Sequence, residues 1–160
     1  IINTLFFMAN TYHQLYIQVV FAVKHRRAML LPEFRQNVFG YMGEVINNLG
    51  HKTLIVNGVS DHVHCFIGLN PSQALSDLMR EVKANSSRWI NEQGFLEERF
   101  EWQSGFGAFS YARSQLDTVY RYVKNQEAIH EARTFRKEYL ELLARFEIDH
   151  DERYIFHDPI

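Results

Sequence analysis

The sequence predicts an α+β fold, an antiparallel sheet with helices packed on it, on the split β-α-β-β-α-β plan of ferredoxin-like domains. Three patterns lead to this fold class: a long alternating strand near the start, a hairpin in the middle, and an amphipathic helix after each of them. The 160 residues, 46% hydrophobic and 22% charged, suffice for one globular domain. We expect that domain to span residues 8–160, with residues 1–7 as a non-native or disordered N-terminal extension before Met8.

The first two elements are a strand and a helix. The side chains of residues 12–23 fall into two alternating sets, which predicts a long strand with one clearly buried face. A helix is predicted to start at Pro32, because apolar residues then recur at three-and-four spacing as far as Leu49. Gly50 stands where a glycine commonly ends a helix.

A hairpin and a second helix follow. Residues 52–59 and 62–69 read as two paired strands joined by a short turn. Asn70 and Pro71 end the second strand and open a helix, whose apolar residues continue until Gly94 closes it.

One strand and two helices are predicted in the last part of the chain. Phe100 to Gln103 is the candidate for the fourth strand, broken by the glycines that follow. Ser114 and Asp117 resemble a capping box, so a helix is expected over about 115–130. Apolar spacing predicts another helix over about 134–146.

Composition and charge exclude several classes of protein. No apolar run approaches the ~20 residues of a membrane span, and the single Cys65 cannot form an internal disulfide, so we expect a cytoplasmic protein. No Gly-Lys dipeptide occurs, which excludes a P-loop and its nucleotide. Residues 1–126 carry a net charge of +2 and residues 127–160 a net charge of −4. Contacts with nucleic acid are therefore expected from local patches of the first part, with the acidic region packed on protein.

Two histidines share one face of the second hairpin strand. Alternation puts His62 and His64 on the same side, with Cα atoms ~6.6–6.8 Å apart, which suits two ligands of one divalent ion. A solvent-facing strand that happens to carry two histidines is the alternative reading.

A tyrosine and a glutamine are four residues apart on the predicted helix over 115–130. Tyr122 and Gln126 therefore share a face, and a carboxamide oxygen suits a hard divalent ion. Tyr120 points away from Gln126 and is expected to pack against protein. The alternative interpretation is that Tyr122 belongs to an ordinary row of packing residues on the helix.

Three strings carry a family resemblance: SDHVHCFIGL, WQSGFGAFSYARS and YRYVKNQEAIH, in that order and at these separations. They resemble the single-tyrosine HUH transposases, small insertion-sequence enzymes that act on single-stranded DNA, with relatives associated with repeated extragenic palindromes. The resemblance runs from about Tyr12 to Phe156 and implies a fold of the HUH endonuclease type.

The resemblance also implies a role for each matching residue. The His–hydrophobic–His triplet, matched by His62 and His64, would bind a divalent metal, Mg²⁺ or Mn²⁺, and the glutamine matched by Gln126 would complete the metal site. Tyr122 matches the nucleophile, which would cleave and rejoin DNA through a 5′-phosphotyrosine. The implied partners are single-stranded DNA with hairpins at the ends of the element and a second copy of the chain. In that homodimer the tyrosine helix of one subunit can serve the histidine pair of the other.

Candidate DNA contacts are basic side chains for phosphates and aromatic side chains for unpaired bases. They are Lys24, Arg26, Arg27, Arg80, Lys83, Arg88, Trp102, Phe106, Arg113, Arg121 and Lys124. Two other functions stay open: a nucleic-acid-binding module without catalysis, and a metal-dependent nuclease that uses water while Tyr122 is structural.

Overall fold

Four strands form one antiparallel sheet in a computed structural model, which describes residues 11–151 and 153. The strands follow the order β2-β3-β1-β4 across the sheet. In chain order they are β1 (Tyr16–Ala22), β2 (Lys52–Gly58), β3 (His62–Gly68) and β4 (Gly107–Tyr111). This arrangement confirms the predicted α+β fold class.

Helices cover both faces of the sheet. On one face the apolar sides of α1 (Arg35–Asn48) and α2 (Leu75–Gln93) bury the main core against β1 and β3. On the other face lie three shorter helices, α3 (Leu116–Lys124), α4 (Gln126–Ala132) and α5 (Phe135–Arg145). No helix among the described residues is long and apolar enough to cross a membrane.

The alternation predicted for the second hairpin strand is confirmed in β3. Cys65 and Ile67 enter the core beneath α1 and α2, whereas Phe66 packs under α3. His62 and His64 share the face of Phe66, so the two imidazoles lie under the three short helices. The sheet thus fixes one half of a candidate site, and the short helices supply the rest.

Two strand predictions were wrong in their bounds. The first strand begins at Tyr16, not at residue 12, because both its neighbours end at that level, where Tyr16 pairs with Gly68 on one side and Tyr111 on the other. The prediction of one buried face was also wrong, since Val19 and Val20 both enter cores, on opposite faces.

The fourth strand lies at residues 107–111, not at 100–103. Gly107, taken as a strand breaker, is required at the start of this strand because a Cβ atom there would lie 2.6 Å from the Tyr139 ring. In the predicted segment, Trp102 makes only an isolated bridge to Val23.

The predicted helix over 115–130 is divided in two. Residues 113–115 form a 3₁₀ turn without a side-chain cap from Ser114, and α3 then ends at Lys124, before Asn125 at φ −96° and ψ 23°. Asn57 of β2 explains the break, because its Nδ2 donates to the carbonyls of Val123 and Lys124, each at 3.0 Å. The helix predicted over 134–146 is confirmed, with Thr134 Oγ1 accepting from the Lys137 amide at its start.

Candidate active site

The two histidines of β3 form the floor of the site. Both are completely buried, with ring centroids 5.2 Å apart. The alternative of a solvent-facing strand is therefore wrong for these residues.

Asp61 orients the first imidazole. His62 Nδ1 donates to Asp61 Oδ1 at 2.8 Å, and the ring stacks on Phe135 with centroids 3.8 Å apart. Burial opposes protonation, but the hydrogen bond to Asp61 and the nearby Glu138 outweigh it and raise the pKa of His62. With Nδ1 committed to Asp61, Nε2 is the nitrogen that His62 presents to the site.

A polar relay orients the second imidazole. Tyr111 donates its hydroxyl to Gln18 Oε1 at 2.8 Å, so Gln18 Nε2 faces His64 Nδ1 at 2.9 Å and donates to it. Burial lowers the pKa of His64 and outweighs the opposing Glu138 carboxylate. Metal binding at His64 Nε2 requires the other tautomer, which the relay supplies if the Gln18 amide turns over and the Tyr111 hydroxyl accepts instead.

Glu138 of α5 is the central group of the site. Its Oε1 lies 3.1 Å from His64 Nε2, 3.1 Å from His130 Nε2 and 3.5 Å from His62 Nε2. The side chain is only 1% exposed. Burial would raise the pKa of Glu138, but the three neighbouring imidazoles lower it well below its usual range, so the carboxylate is ionised.

Tyr122 of α3 points at the same carboxylate. Its hydroxyl donates to Glu138 Oε2. Burial and the adjacent Glu138 charge raise the pKa of Tyr122, so the phenol holds its proton. The tyrosine lies against the histidines of its own chain, with its ring 5.8 Å from that of His64.

Gln126 and His130 lie one turn apart on α4 beside Tyr122. The Gln126 Nε2 atom donates to Tyr122 O and to Glu138 Oε2, each at 3.3 Å. Since both neighbours can only accept, the orientation of the amide is fixed, and Gln126 Oε1 accepts from His130 Nε2 at 3.1 Å. The structure thus brings together all four predicted catalytic and metal residues, His62, His64, Tyr122 and Gln126.

Four side chains could hold a metal ion: His62, His64, His130 and Glu138, whose ligand atoms all lie within 4.8 Å of one another. Sequence reasoning missed the last two. His130 could have been predicted from its position four residues after Gln126, because that spacing places both residues on the same helix face. Glu138 lies beyond the extended residues Arg133 and Thr134, which separate α4 from α5, and no local pattern connects it with the site.

Several predicted DNA contacts are already engaged with protein. Lys24 pairs with Glu101 at 2.9 Å, Arg27 with Glu98, and Arg26 lies 3.7 Å from Asp61. A phosphate at this loop would have to compete with these carboxylates.

The helix α2 candidates line a groove of about 950 Å³ together with acidic residues 97, 98 and 101. Arg80 is exposed and pairs with Asp77 at 3.1 Å. Lys83 Nζ donates to the carbonyls of Gln103 and Gly105, and burial lowers its pKa to about 8. Arg88 is exposed and donates to Asn85.

The aromatic candidates belong to the protein interior. Trp102 Nε1 donates to Ser86 Oγ at 2.9 Å, and its ring packs edge-on against Phe21 and Phe100. Phe106 is half-buried against the main core. Neither ring is presented as a free stacking platform.

Exposed basic side chains and a cavity lie next to Tyr122. Arg113, Arg121 and Lys124 are exposed beside it on α3 and the preceding turn. A cavity of about 480 Å³, lined by Tyr122, Tyr111 and Arg145 among others, opens between α3 and α5. Tyr120 is 41% exposed, so its predicted packing role was wrong.

Comparisons with known proteins find similar transposases. The curated ISDra2 transposase TnpA of Deinococcus radiodurans is 25% identical over 76 residues, which are 48% of this chain and 54% of that protein. The match thus spans about half the length of that relative.

Two solved structures share the fold. A crystal structure described as a transposase of Deinococcus radiodurans superposes with a TM-score of 0.60 at 17% identity, covering 72% of this chain and 93% of that one. A REP-associated tyrosine transposase bound to a REP hairpin superposes with a TM-score of 0.57 at 17% identity, covering 75% and 71%. The sequence pattern of the IS200-like transposases matches residues 11–126, and by this match the chain belongs to the IS200-like transposase family.

Proposed function

We propose that the chain is a metal-dependent transposase that cleaves and rejoins single-stranded DNA through a phosphotyrosine at Tyr122. One observation carries the proposal: in a member of this family, the Tyr122 hydroxyl meets the β3 histidines and Gln126 at one buried carboxylate. A binding module has no need of that convergence.

The residues present fit a divalent ion. His62 and His64 present nitrogens to one point. Gln126 is next to them, because its Oε1 contacts His130 of the same cluster. His62, His64 and Gln126 are therefore the residues that would hold Mg²⁺ or Mn²⁺. Such an ion would draw negative charge from the phosphodiester that is attacked.

The chain's own groups supply the nucleophile and its orientation. The Tyr122 oxygen forms a bond to phosphorus, the bond from phosphorus to the 3′ oxygen breaks, and the 3′ oxygen leaves as a hydroxyl. The Tyr122 hydroxyl donates to Glu138 Oε2 before attack. The proton that leaves the phenol passes by way of this contact, and the leaving 3′ oxygen takes up one proton, so the step balances. The 5′-phosphotyrosine retains the energy of the broken bond, so rejoining needs no nucleotide.

The substrate that we propose is single-stranded DNA with a hairpin. The REP-associated relative of the same fold is solved with a REP hairpin, and the exposed Arg113, Arg121 and Lys124 offer phosphate contacts next to Tyr122. We also propose a cytoplasmic homodimer, in which the acidic region after Gln126 packs on protein. Light scattering that gives a strict monomer at micromolar concentration would refute the dimer.

A covalent-adduct experiment tests the function. The full chain is incubated with Mn²⁺ or Mg²⁺ and a library of single-stranded oligonucleotides that carry a hairpin and a randomised flank. Because the 5′ phosphate of the downstream fragment joins Tyr122, a 3′-end label should move with the protein on a denaturing gel, while a 5′-end label should appear on a shorter free fragment.

Matched variants assign the nucleophile. Tyr122→Phe should lose the adduct yet keep its fold and hairpin binding, whereas Tyr120→Phe on the exposed side of the same helix should behave as wild type. Cleavage by Tyr122→Phe without an adduct would establish a hydrolytic nuclease instead.

A further inference from the structure

We infer that His130 and Glu138 join His62 and His64 as metal ligands, and that this set of three imidazoles and one carboxylate selects a transition-metal ion over Mg²⁺. The inference rests on the proposed function, because it concerns the ion of the same site. Both added residues lie after Gln126, where the match to the family ends.

The first support is the convergence of buried ligand atoms from three elements. Two imidazoles come from β3, the third from α4 and the carboxylate from α5, and the four ligand atoms lie within 4.8 Å of one another. Ligands of one ion at about 2.1 Å are at most about 4.2 Å apart. The most distant pair of ligand atoms would therefore have to approach by about 0.6 Å if the two lie on opposite sides of the ion, and by more in a tetrahedral site.

The second support is a buried nitrogen that aims into this cluster. Since His62 Nδ1 donates to Asp61, its Nε2 is the nitrogen left to bind a cation. That Nε2 atom has no hydrogen-bond partner among the described residues, and it lies 3.5 Å from Glu138 Oε1. A buried, preoriented ring nitrogen without a partner is costly, and a bound cation would supply that partner.

The third support is the crowding around one oxygen. Glu138 Oε1 has three imidazole nitrogens within 3.5 Å, but a carboxylate oxygen accepts about two hydrogen bonds. Hydrogen bonds alone leave one nitrogen unsatisfied. A cation shared by the carboxylate and all three imidazoles gives each of these three nitrogens a partner.

The donor set determines the class of ion. Imidazole nitrogen suits first-row transition metals, whereas Mg²⁺ takes oxygen ligands and keeps several waters. Three nitrogens and one carboxylate thus favour Co²⁺, Zn²⁺, Fe²⁺ or Mn²⁺, with affinity rising from Mn²⁺ towards Zn²⁺. We expect Co²⁺ to bind at least about 100-fold more tightly than Mg²⁺.

Cobalt titration tests the ligand set without using DNA. The metal-free full chain is titrated with Co²⁺, whose visible absorption reports coordination, and is then challenged with Mg²⁺, Mn²⁺ or Zn²⁺. Glu138→Gln and His130→Gln should each weaken Co²⁺ binding at least about tenfold. The exposed Glu131→Gln and His150→Gln are the matched controls and should bind as wild type.

X-ray absorption on the cobalt-loaded wild type keeps the test independent of whether a variant folds. Three imidazoles in the coordination shell support the inference, and two overturn it. Equal affinity for Mg²⁺ and Co²⁺, or unchanged Co²⁺ affinity in both folded variants, would also overturn it.

The outcome is separable from that of the proposed function. A three-imidazole shell without a Tyr122 adduct leaves the metal inference standing and refutes the transposase chemistry. A Tyr122 adduct together with a two-imidazole shell supports the transposase chemistry and refutes the metal inference.

Discussion

Gly58, at the end of β2, is predicted to control the position of the first metal ligand. A Cβ atom at this residue would lie 2.2 Å from the carbonyl oxygen of His62 and 2.9 Å from Val63 Cα. Both are backbone atoms, so a flexible side chain cannot relieve the contact. Gly58→Ala must therefore move the start of β3.

The size of the effect follows from these contacts. Cβ contacts under 3.0 Å are essentially never seen, so the His62 carbonyl must retreat by about 0.8 Å. That shift weakens the hydrogen bond from Val59 N to His62 O, now 3.1 Å, at about 1 kcal/mol. Overpacking adds about 1–3 kcal/mol. We expect a loss of about 2–4 kcal/mol in the free energy of unfolding and a fall in Tm of roughly 4–16 °C.

Urea unfolding and cobalt titration measure the two consequences. Gly58→Ala should also weaken Co²⁺ binding at least about tenfold, because ligands must be held within ~0.5 Å. Gly40→Ala in α1 is the control, since nothing lies within 4 Å of its Cβ, and it should be neutral or stabilising by up to ~1 kcal/mol. Wild-type stability in Gly58→Ala would show that the turn yields easily and that the reasoning is wrong.

Three further outcomes test the supports of the site. Gln18→Leu should weaken metal binding about 10–100-fold, whereas Gln18→Glu should retain it, because a carboxylate accepts from both His64 Nδ1 and Tyr111; equal affinities would refute the relay. Asn57→Ala should cost about 1–3 kcal/mol in urea unfolding, since it removes two hydrogen bonds at the end of α3; an unchanged midpoint would contradict its role. Trp102→Phe should cost about 1 kcal/mol and leave oligonucleotide affinity unchanged, and a loss of affinity would restore Trp102 as a base contact.

Local patterns predicted the parts of the site that depend on local geometry. The period of two places His62 and His64 on one face whatever surrounds the strand. Spacing by four brings Tyr122 and Gln126 together, and it does so even though the helix breaks at Asn125, because the break leaves their contact intact at 3.3 Å.

The remaining features depend on contacts between distant segments. The helix break is caused by Asn57, which is 66 residues away from Val123. Gly107 looked like a strand breaker but begins a strand. A glycine fits there because the Tyr139 ring lies where a Cβ atom would be. Glu138 reaches His64, 74 residues earlier, through the packing of α5. No periodic pattern in the sequence indicates these long-range contacts.

The division of the site between sheet and helices has a consequence for how it can open. The sheet holds His62 and His64, while Tyr122, Gln126, His130 and Glu138 all belong to the consecutive helices α3 to α5. Only Asn125 separates α3 from α4, and only residues 133 and 134 separate α4 from α5, so these helices are tightly coupled in sequence. Glu138 also bridges them, since it accepts from Tyr122, Gln126 and His130. A movement that carries this helical unit away from β3 removes the nucleophile and the ligand candidates Gln126, His130 and Glu138 together. Helices α3, α4 and α5 contact the sheet through one interface. Both metal binding and the position of the nucleophile therefore depend on that interface.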